Sequence, residues 1–166
     1  MLQKTVDQLK GKFGERILDA DFFRDELCII VRREAIVDVT SFLKEDEELS
    51  YNFLSDMCGV DYLVRKPRFD VVYNLYSIKN KIRIILKVMV DDNDAIPSIT
   101  PNWQGANWLE REIYDMFGIV FENHPDLRRI LMPDDWKGHP LRKDFPLSKE
   151  EVIFSHNQNK PPRIAE

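Results

Sequence analysis

The chain has 166 residues, of which 43% are hydrophobic and 32% charged, with a mean hydropathy of −0.39: enough for one sizeable core and a tail, in an ordinary soluble composition. Its net charge of −5 offers no basic face to phosphates, so no nucleic-acid partner is expected. No apolar run reaches the roughly 18 residues of a bilayer span, and the N-terminus has no secretory apolar core, so a water-soluble chain on the cytosolic side is expected.

In chain order, Leu2, Val6, Leu9 and Phe13 recur at four- and three-residue spacing, which predicts an amphipathic helix ending near Gly14. Arg16 to Phe22 and Leu27 to Arg32 read as two strands joined by a short acidic turn. Ile36, Val39 and Leu43 mark a second helix, closed by the acidic run Glu45 to Glu48. Tyr51 to Tyr62 is ambiguous, with its second half read as the start of a strand. Phe69 to Ile78 and Ile82 to Val90 are rich in β-branched and aromatic residues, and the short polar link between them predicts a hairpin. In the second arm Ile82, Ile84, Leu86, Val88 and Val90 form one apolar face, expected to lie on the first two helices.

From Gln104 to Phe117 the period is helical again. Ala106, Leu109, Ile113, Met116 and Phe117 form the predicted buried stripe, while Asn107, Glu110, Arg111 and Tyr114 are expected to point elsewhere. Gly118 is the stop. The order of elements predicts an α+β fold: a two-layer domain whose mixed or antiparallel sheet is covered by helices, plus an extended Pro-rich C-terminal arm. Residues 1–121 are assigned to the domain and 122–166 to a partner-docking arm and flexible tail. Beyond Ser148 the polar sequence predicts disorder unless a partner holds it.

Two cysteines and three histidines limit the metal chemistry. An iron–sulfur cluster or a structural zinc wants about four ligands. Cys28, within LCIIV, reads as a small core residue, and Cys58 has no CxxC partner. No metal or redox cofactor is therefore expected in this chain. There is also no GxGxxG, GxxxxGK[ST], GxSxG or HExxH to mark a nucleotide or catalytic site.

The densest information lies between Glu110 and Leu147. Charges, aromatics and four prolines (Pro125, Pro133, Pro140, Pro146) crowd a stretch expected to stay unburied within its own chain and to fit against another. Glu110, Arg111, Glu112 and Asp115 are open to four readings: an acid–base site, a solvated helix face, an interface, or docking within the chain; no nucleophile stands beside them to favour the first. His124 and His139 each precede a proline and fit hydrogen-bonding roles in fixed turns better than metal ligation. Arg128 and Arg129, set among Leu127, Ile130 and Leu131, suit bidentate pairs with carboxylates. Trp136 is a candidate interface anchor with Phe145, whereas Trp103 and Trp108 are read as core residues or anchors.

The string ANWLEREIYDMFGIVFENHPDLRRILMPDDWKGHPLRKDFPL, Ala106 to Leu147, closely resembles the signature of the thirty-kilodalton-subunit family of NADH:quinone oxidoreductase, the C-type subunit in the peripheral arm of respiratory complex I. PSIT at Pro97 to Thr100 and VVYNLYS at Val71 to Ser77 are similar more loosely. The resemblance implies a non-catalytic structural subunit at the cytoplasmic face of the cell membrane, reaching the membrane only through the complex. It implies no cofactor in this chain, FMN and iron–sulfur clusters lying in partner subunits, and no activity of the isolated chain. Its implied partners are chiefly the D-type subunit beside the quinone cavity, then the B- and I-type subunits. Glu110, Arg111, Glu112, Asp115, His124, Asp126, Arg128 and Arg129 match signature positions and take interface and architectural roles by resemblance; Trp136, His139, Arg142, Lys143 and Phe145 are assigned to the same interface. The alternatives are the equivalent subunit of an energy-converting hydrogenase or related complex, and a stand-alone hydrolase using Glu110/Glu112 and Asp134/Asp135.

Overall fold

Alternation along five strands decides which side of the sheet becomes the core. The computed structural model describes residues 1–146, so the tail beyond Ser148 lies outside the described residues. The N-terminal helix α1 (Leu2–Phe13) buries Val6 and Leu9 and stops at Gly14. Strands β1 (Ile17–Phe23) and β2 (Glu26–Val31) form an antiparallel hairpin. Both residues of its turn, Arg24 and Asp25, have positive φ (49° and 65°), the backbone twist that a two-residue hairpin loop favours. Helix α2 (Ile36–Glu45) buries Ile36, Val39 and Leu43.

The ambiguous segment is strand almost throughout, as β3 (Phe53–Asp61). The predicted hairpin forms from β4 (Phe69–Ser77) and β5 (Ile82–Val90). Strand β2 pairs parallel with β5 while the other neighbours run antiparallel, giving a mixed sheet in the order β1-β2-β5-β4-β3. Leu27, Ile29, Val31, Val71, Tyr73, Leu75, Ile84, Leu86 and Val88 face one way, and a single apolar core joins them to the helices. Three helices cover this face, not only the first two: Phe117 of the third, α3 (Ala106–Phe117), packs edge-on against Phe69 at 6.5 Å. Phe117 comes so close to Gly59 that a Cβ there would sit 2.7 Å from its ring, so β3 needs glycine at this point.

Cys28 is not a core residue. Alternation sends Leu27 and Ile29 inward and turns Cys28, half-buried, to the opposite face of the sheet. A second, small parallel sheet pairs β6 (Ala95–Pro97) with β7 (Val120–Glu122) on either side of α3 in sequence. Strand β7 straddles the expected boundary at residues 121 and 122. Gly118 ends α3 in the left-handed conformation (φ 77°), its N–H returning to the Tyr114 carbonyl at 2.8 Å, and sends the chain into β7.

A candidate docking site built on the third helix

Ala106, Glu110, Ile113 and Phe117 lie at helical spacing on one row of α3, so Glu110 goes inward with the apolar residues. The expectation that Glu110 and Arg111 point away from the core is therefore wrong. Both are buried, and Asp115 is fully so. Leu109 is only half-buried, and Trp108 is exposed, with Arg111 over its ring at 5.1 Å rather than core around it.

Glu110 ties α3 to the segment after β6. It accepts hydrogen bonds from Ser98 Oγ at 2.6 Å and from the Ile99 N–H at 2.8 Å. Burial raises its carboxyl to about 7, and these two donors pull it only part of the way back. The Tyr73 hydroxyl is buried without a hydrogen-bond partner among the described residues, and burial with the nearby Glu110 holds its ionisation well above the usual phenol range. His124 Nδ1 accepts from the Asp126 N–H at 3.0 Å, which makes Nε2 the donor to the Asn107 carbonyl at 3.2 Å. The same Nε2 lies 3.8 Å from Glu110.

The adjacent row, Asn107, Arg111 and Asp115, carries the chain that returns after β7. Arg111 donates to the carbonyls of Arg128 and Arg129, both at 3.1 Å. Asp115 Oδ2 accepts the N–H groups of Ile130 (3.1 Å), Leu131 (2.8 Å) and Met132 (2.8 Å), while Oδ1 takes Arg129 at 2.6 Å. Burial pushes the Asp115 carboxyl up, but the Met132 and Leu131 amides, Arg129 and the Ile130 amide together bring it below its ordinary value. The Asp115 carbonyl meets His139 Nδ1 at 2.9 Å, the Met116 carbonyl accepts the Leu141 N–H, and the Phe117 carbonyl accepts Arg142 Nε at 2.6 Å. The chain after β7 thus lies as a strap along the outside of α3. It docks on its own domain through these bonds, a fit not expected for this stretch, while none of residues 123–146 is fully buried.

The strap's end is clasped to the sheet. Arg68 grips Asp61 through two bonds (2.9 and 2.7 Å) and Asp144 through two more (3.0 and 2.7 Å). The Lys143 N–H adds a bond to Asp61 at 2.9 Å. Arg68 holds the Asp61 carboxyl well below the usual carboxylate range and lowers Asp144 as well. Arg142 pairs with Asp92 at 2.6 Å and lies over Phe69, 5.2 Å from the ring centre. Trp136 stacks on Phe145 at 6.4 Å, with its indole N–H buried and unpartnered among the described residues.

The candidate residues therefore divide. Glu110, Arg111, Asp115, His124, Arg129, His139 and Arg142 spend their polar groups on contacts within the chain. Glu112, Asp126, Arg128 and Lys143 are exposed, Arg128 pairing among the described residues only with Asp126. Trp108, Leu131 and Leu141, each more than half exposed, stand on the same outer layer. Leu131 and Leu141 were missed in the sequence; their signal is an apolar residue within two positions of a proline, Pro133 and Pro140. The four carboxylates considered for acid–base chemistry lie in different environments: Glu110 is buried, Glu112 lies on the exposed side of α3, and Asp134 and Asp135 are exposed. Among the described residues no three His, Cys, Asp or Glu side chains gather to hold a metal ion, and no helix is long and apolar enough to cross a membrane.

Residues 29–151 match the family described as respiratory-chain NADH dehydrogenase, 30 Kd subunit. The chain is 55% identical over 157 residues to the C subunit of NADH-quinone oxidoreductase from Roseiflexus sp. (strain RS-1), covering 94% of this chain and 90% of that one. It is 56% identical over 146 residues to the protein of the same name from Geobacter sulfurreducens, covering 87% and 89%. Its fold matches a chain in the structure of the membrane-bound sulfane sulfur reductase, an archaeal respiratory membrane complex, with a TM-score of 0.74, 21% identity and 98% of both chains covered.

Proposed function

Because the chain belongs to the respiratory-chain NADH dehydrogenase 30 Kd subunit family, we propose that it is a non-catalytic scaffold subunit in the peripheral arm of a proton-translocating NADH:quinone oxidoreductase. The identity of more than half over nearly the whole chain carries this reading. In it the strap and α3 form the surface that docks on the D-type subunit near the quinone site, with the B- and I-type subunits close by. The assembly sits on the cytoplasmic face of the membrane, and this chain touches the membrane only through its partners. Electrons pass from NADH through FMN and iron–sulfur clusters held by those partners to quinone. With two cysteines and three histidines, this chain has too few soft ligands for a four-thiolate cluster.

The construction of the site supports a docking role. Ordering a proline-rich segment at the moment of association costs conformational entropy. Here Asp115, Arg111 and Arg68 order it beforehand, and the exposed side chains Leu131, Leu141, Trp108 and Arg128 are presented on a fixed backbone. Apolar and Arg anchors with a polar rim are what a specific interface uses.

The test is Leu131→Asp combined with Leu141→Asp. Both side chains are solvent-facing, so the isolated variant should keep its circular dichroism and melting midpoint while losing co-purification with the D-type subunit. A variant that still enters a fully active complex would sink the assignment of this surface. The equivalent hydrogenase-type subunit is the second reading, and the nature of the co-purifying chains separates the two.

A further inference from the structure

The three α-helices of the described residues lie on one side of the five-stranded sheet, and the register of the strands fixes what the other side presents. Reading across from β1 to β3, one row is Phe23, Glu26, Arg83, Tyr76 and Phe53. The next is Asp21, Cys28, Ile85, Asn74 and Asp56; then Asp19, Ile30, Lys87, Val72 and Cys58; and last Met89, Asp70 and Val60. Ile30, Ile85, Val72, Met89 and Tyr76 form a half-exposed apolar field, flanked by exposed Phe23 and Phe53 and edged by Asp19, Asp21 and Asp56. We propose that this open sheet face is a second docking surface, occupied by a neighbouring subunit of the same complex that brings an apolar patch with a carboxylate set opposite Lys87. The proposal rests on the subunit role above but uses the side of the molecule whose core-facing counterpart carries α3 and the strap.

Three observations select this occupant. The first is size. Strands of six to nine residues at about 3.3 Å per residue, five of them about 4.8 Å apart, make a face of roughly 600 Å². That is of the order of the ~800 Å² each partner gives to a standard specific interface. The second is charge. Lys87 sits half-buried on the central strand against the Cys28 thiol, whose pKa burial pushes up and Lys87 pulls part of the way back. The ion pairs on this face, Arg83 with Glu26 at 3.8 Å and Arg65 with Asp70, leave Lys87 without a carboxylate among the described residues. A half-desolvated ammonium is stabilised by an acid from outside. The third is symmetry. In a pairing of two copies about a two-fold axis through the middle of this face, β5 meets β5 and Lys87 meets Lys87, a repulsion that disfavours self-association.

The chain's two cysteines both lie on this face and report its cover directly. In a Cys28→Ser background, the rate of maleimide alkylation of Cys58 is measured in the isolated full chain and in the purified complex. The isolated chain should react quickly, and the complex at least about tenfold more slowly. Ile85→Glu, at a half-exposed position, should keep a folded circular dichroism spectrum and fail to enter the complex. Equal alkylation rates in the two states, or normal incorporation of folded Ile85→Glu, would overturn the proposal. Slow alkylation of the isolated chain would also overturn it. A dimer by sedimentation would then name a second copy as the occupant, and relief by removal of residues 147–166 would name the chain's own tail. Failure of the subunit role has a different signature, namely no co-purification of the unaltered chain with any partner.

Discussion

Glu110 and Asp115 stand five residues apart on one helix and meet opposite electrostatic fates. Each is fully buried, but Glu110 has two donors and Asp115 has four, one of them a guanidinium. Burial therefore wins at Glu110, which reaches about 7, and loses at Asp115. The sign follows from proton counting. Between the ordinary value near 4.5 and about 7, the folded chain holds a proton on Glu110 that the unfolded chain has released. Stability thus falls as pH rises through that window and levels off above it. Glu110→Gln, whose amide can accept from Ile99 and donate to Ser98, should flatten this fall and be the more stable form above pH 7, by up to about 3 kcal/mol. Urea midpoints at pH 5, 6, 7 and 8 check this; an unchanged slope would place the titration elsewhere. The depressed Asp61, Asp115 and Asp144 contribute stability lost only at lower pH, outside that window. Glu110 and Asp115 stood out in the sequence as unusual, yet their roles did not, because the donors they accept from are mostly backbone N–H groups, which carry no sequence signature.

At the scale of elements, legibility followed length and period. Strands β4 and β5 and helices α1 and α2 carry several turns of an unbroken pattern, and all were readable from it. Strands β6 and β7 have three residues each, too few for any period, and were invisible. The row Ala106, Glu110, Ile113 and Phe117 was legible in principle, but a glutamate in an apolar row is read as a break unless its partner Ser98 is already in view. The strap depends on one backbone reversal. Gly118 has φ 77°, and a Cβ there would lie 2.5 Å from His139 Nε2 and 3.0 Å from Arg142 Nη2. Gly118→Ala therefore meets both a disfavoured conformation and the strap itself, and should cost about 2 kcal/mol or more. Hydrogen exchange should show the Leu131, Met132 and Leu141 amides losing protection while β4 and β5 keep theirs. Retained strap protection would show that the strap tolerates a methyl group there.

At the scale of the molecule, the described residues form a two-layer α+β domain with a strap sewn to its helical side and, among those residues, an uncovered sheet face on the other. The fold class was legible in the sequence because layer architecture follows from the order of elements. The direction in which the proline-rich stretch faces was not: its prolines and charges fit docking on a partner and docking on its own domain equally well. The distinction lies in Arg68, a residue far from that stretch in sequence, which no local pattern links to Asp144.

That linkage sets a schedule for the molecule's maturation. Arg68 and Asp144 are 76 positions apart, and Asp61 and Lys143 are 82 apart, so each closes a long loop and gains nothing until the strands beneath it are paired. In pulse-labelled refolding, β4 and β5 amides should gain protection before those of Ile130 to Met132; simultaneous protection would refute the sequence of events. On the docking role proposed above, a half-made or misfolded copy lacks the outer layer that a neighbour would grip, which would reserve recruitment for finished copies.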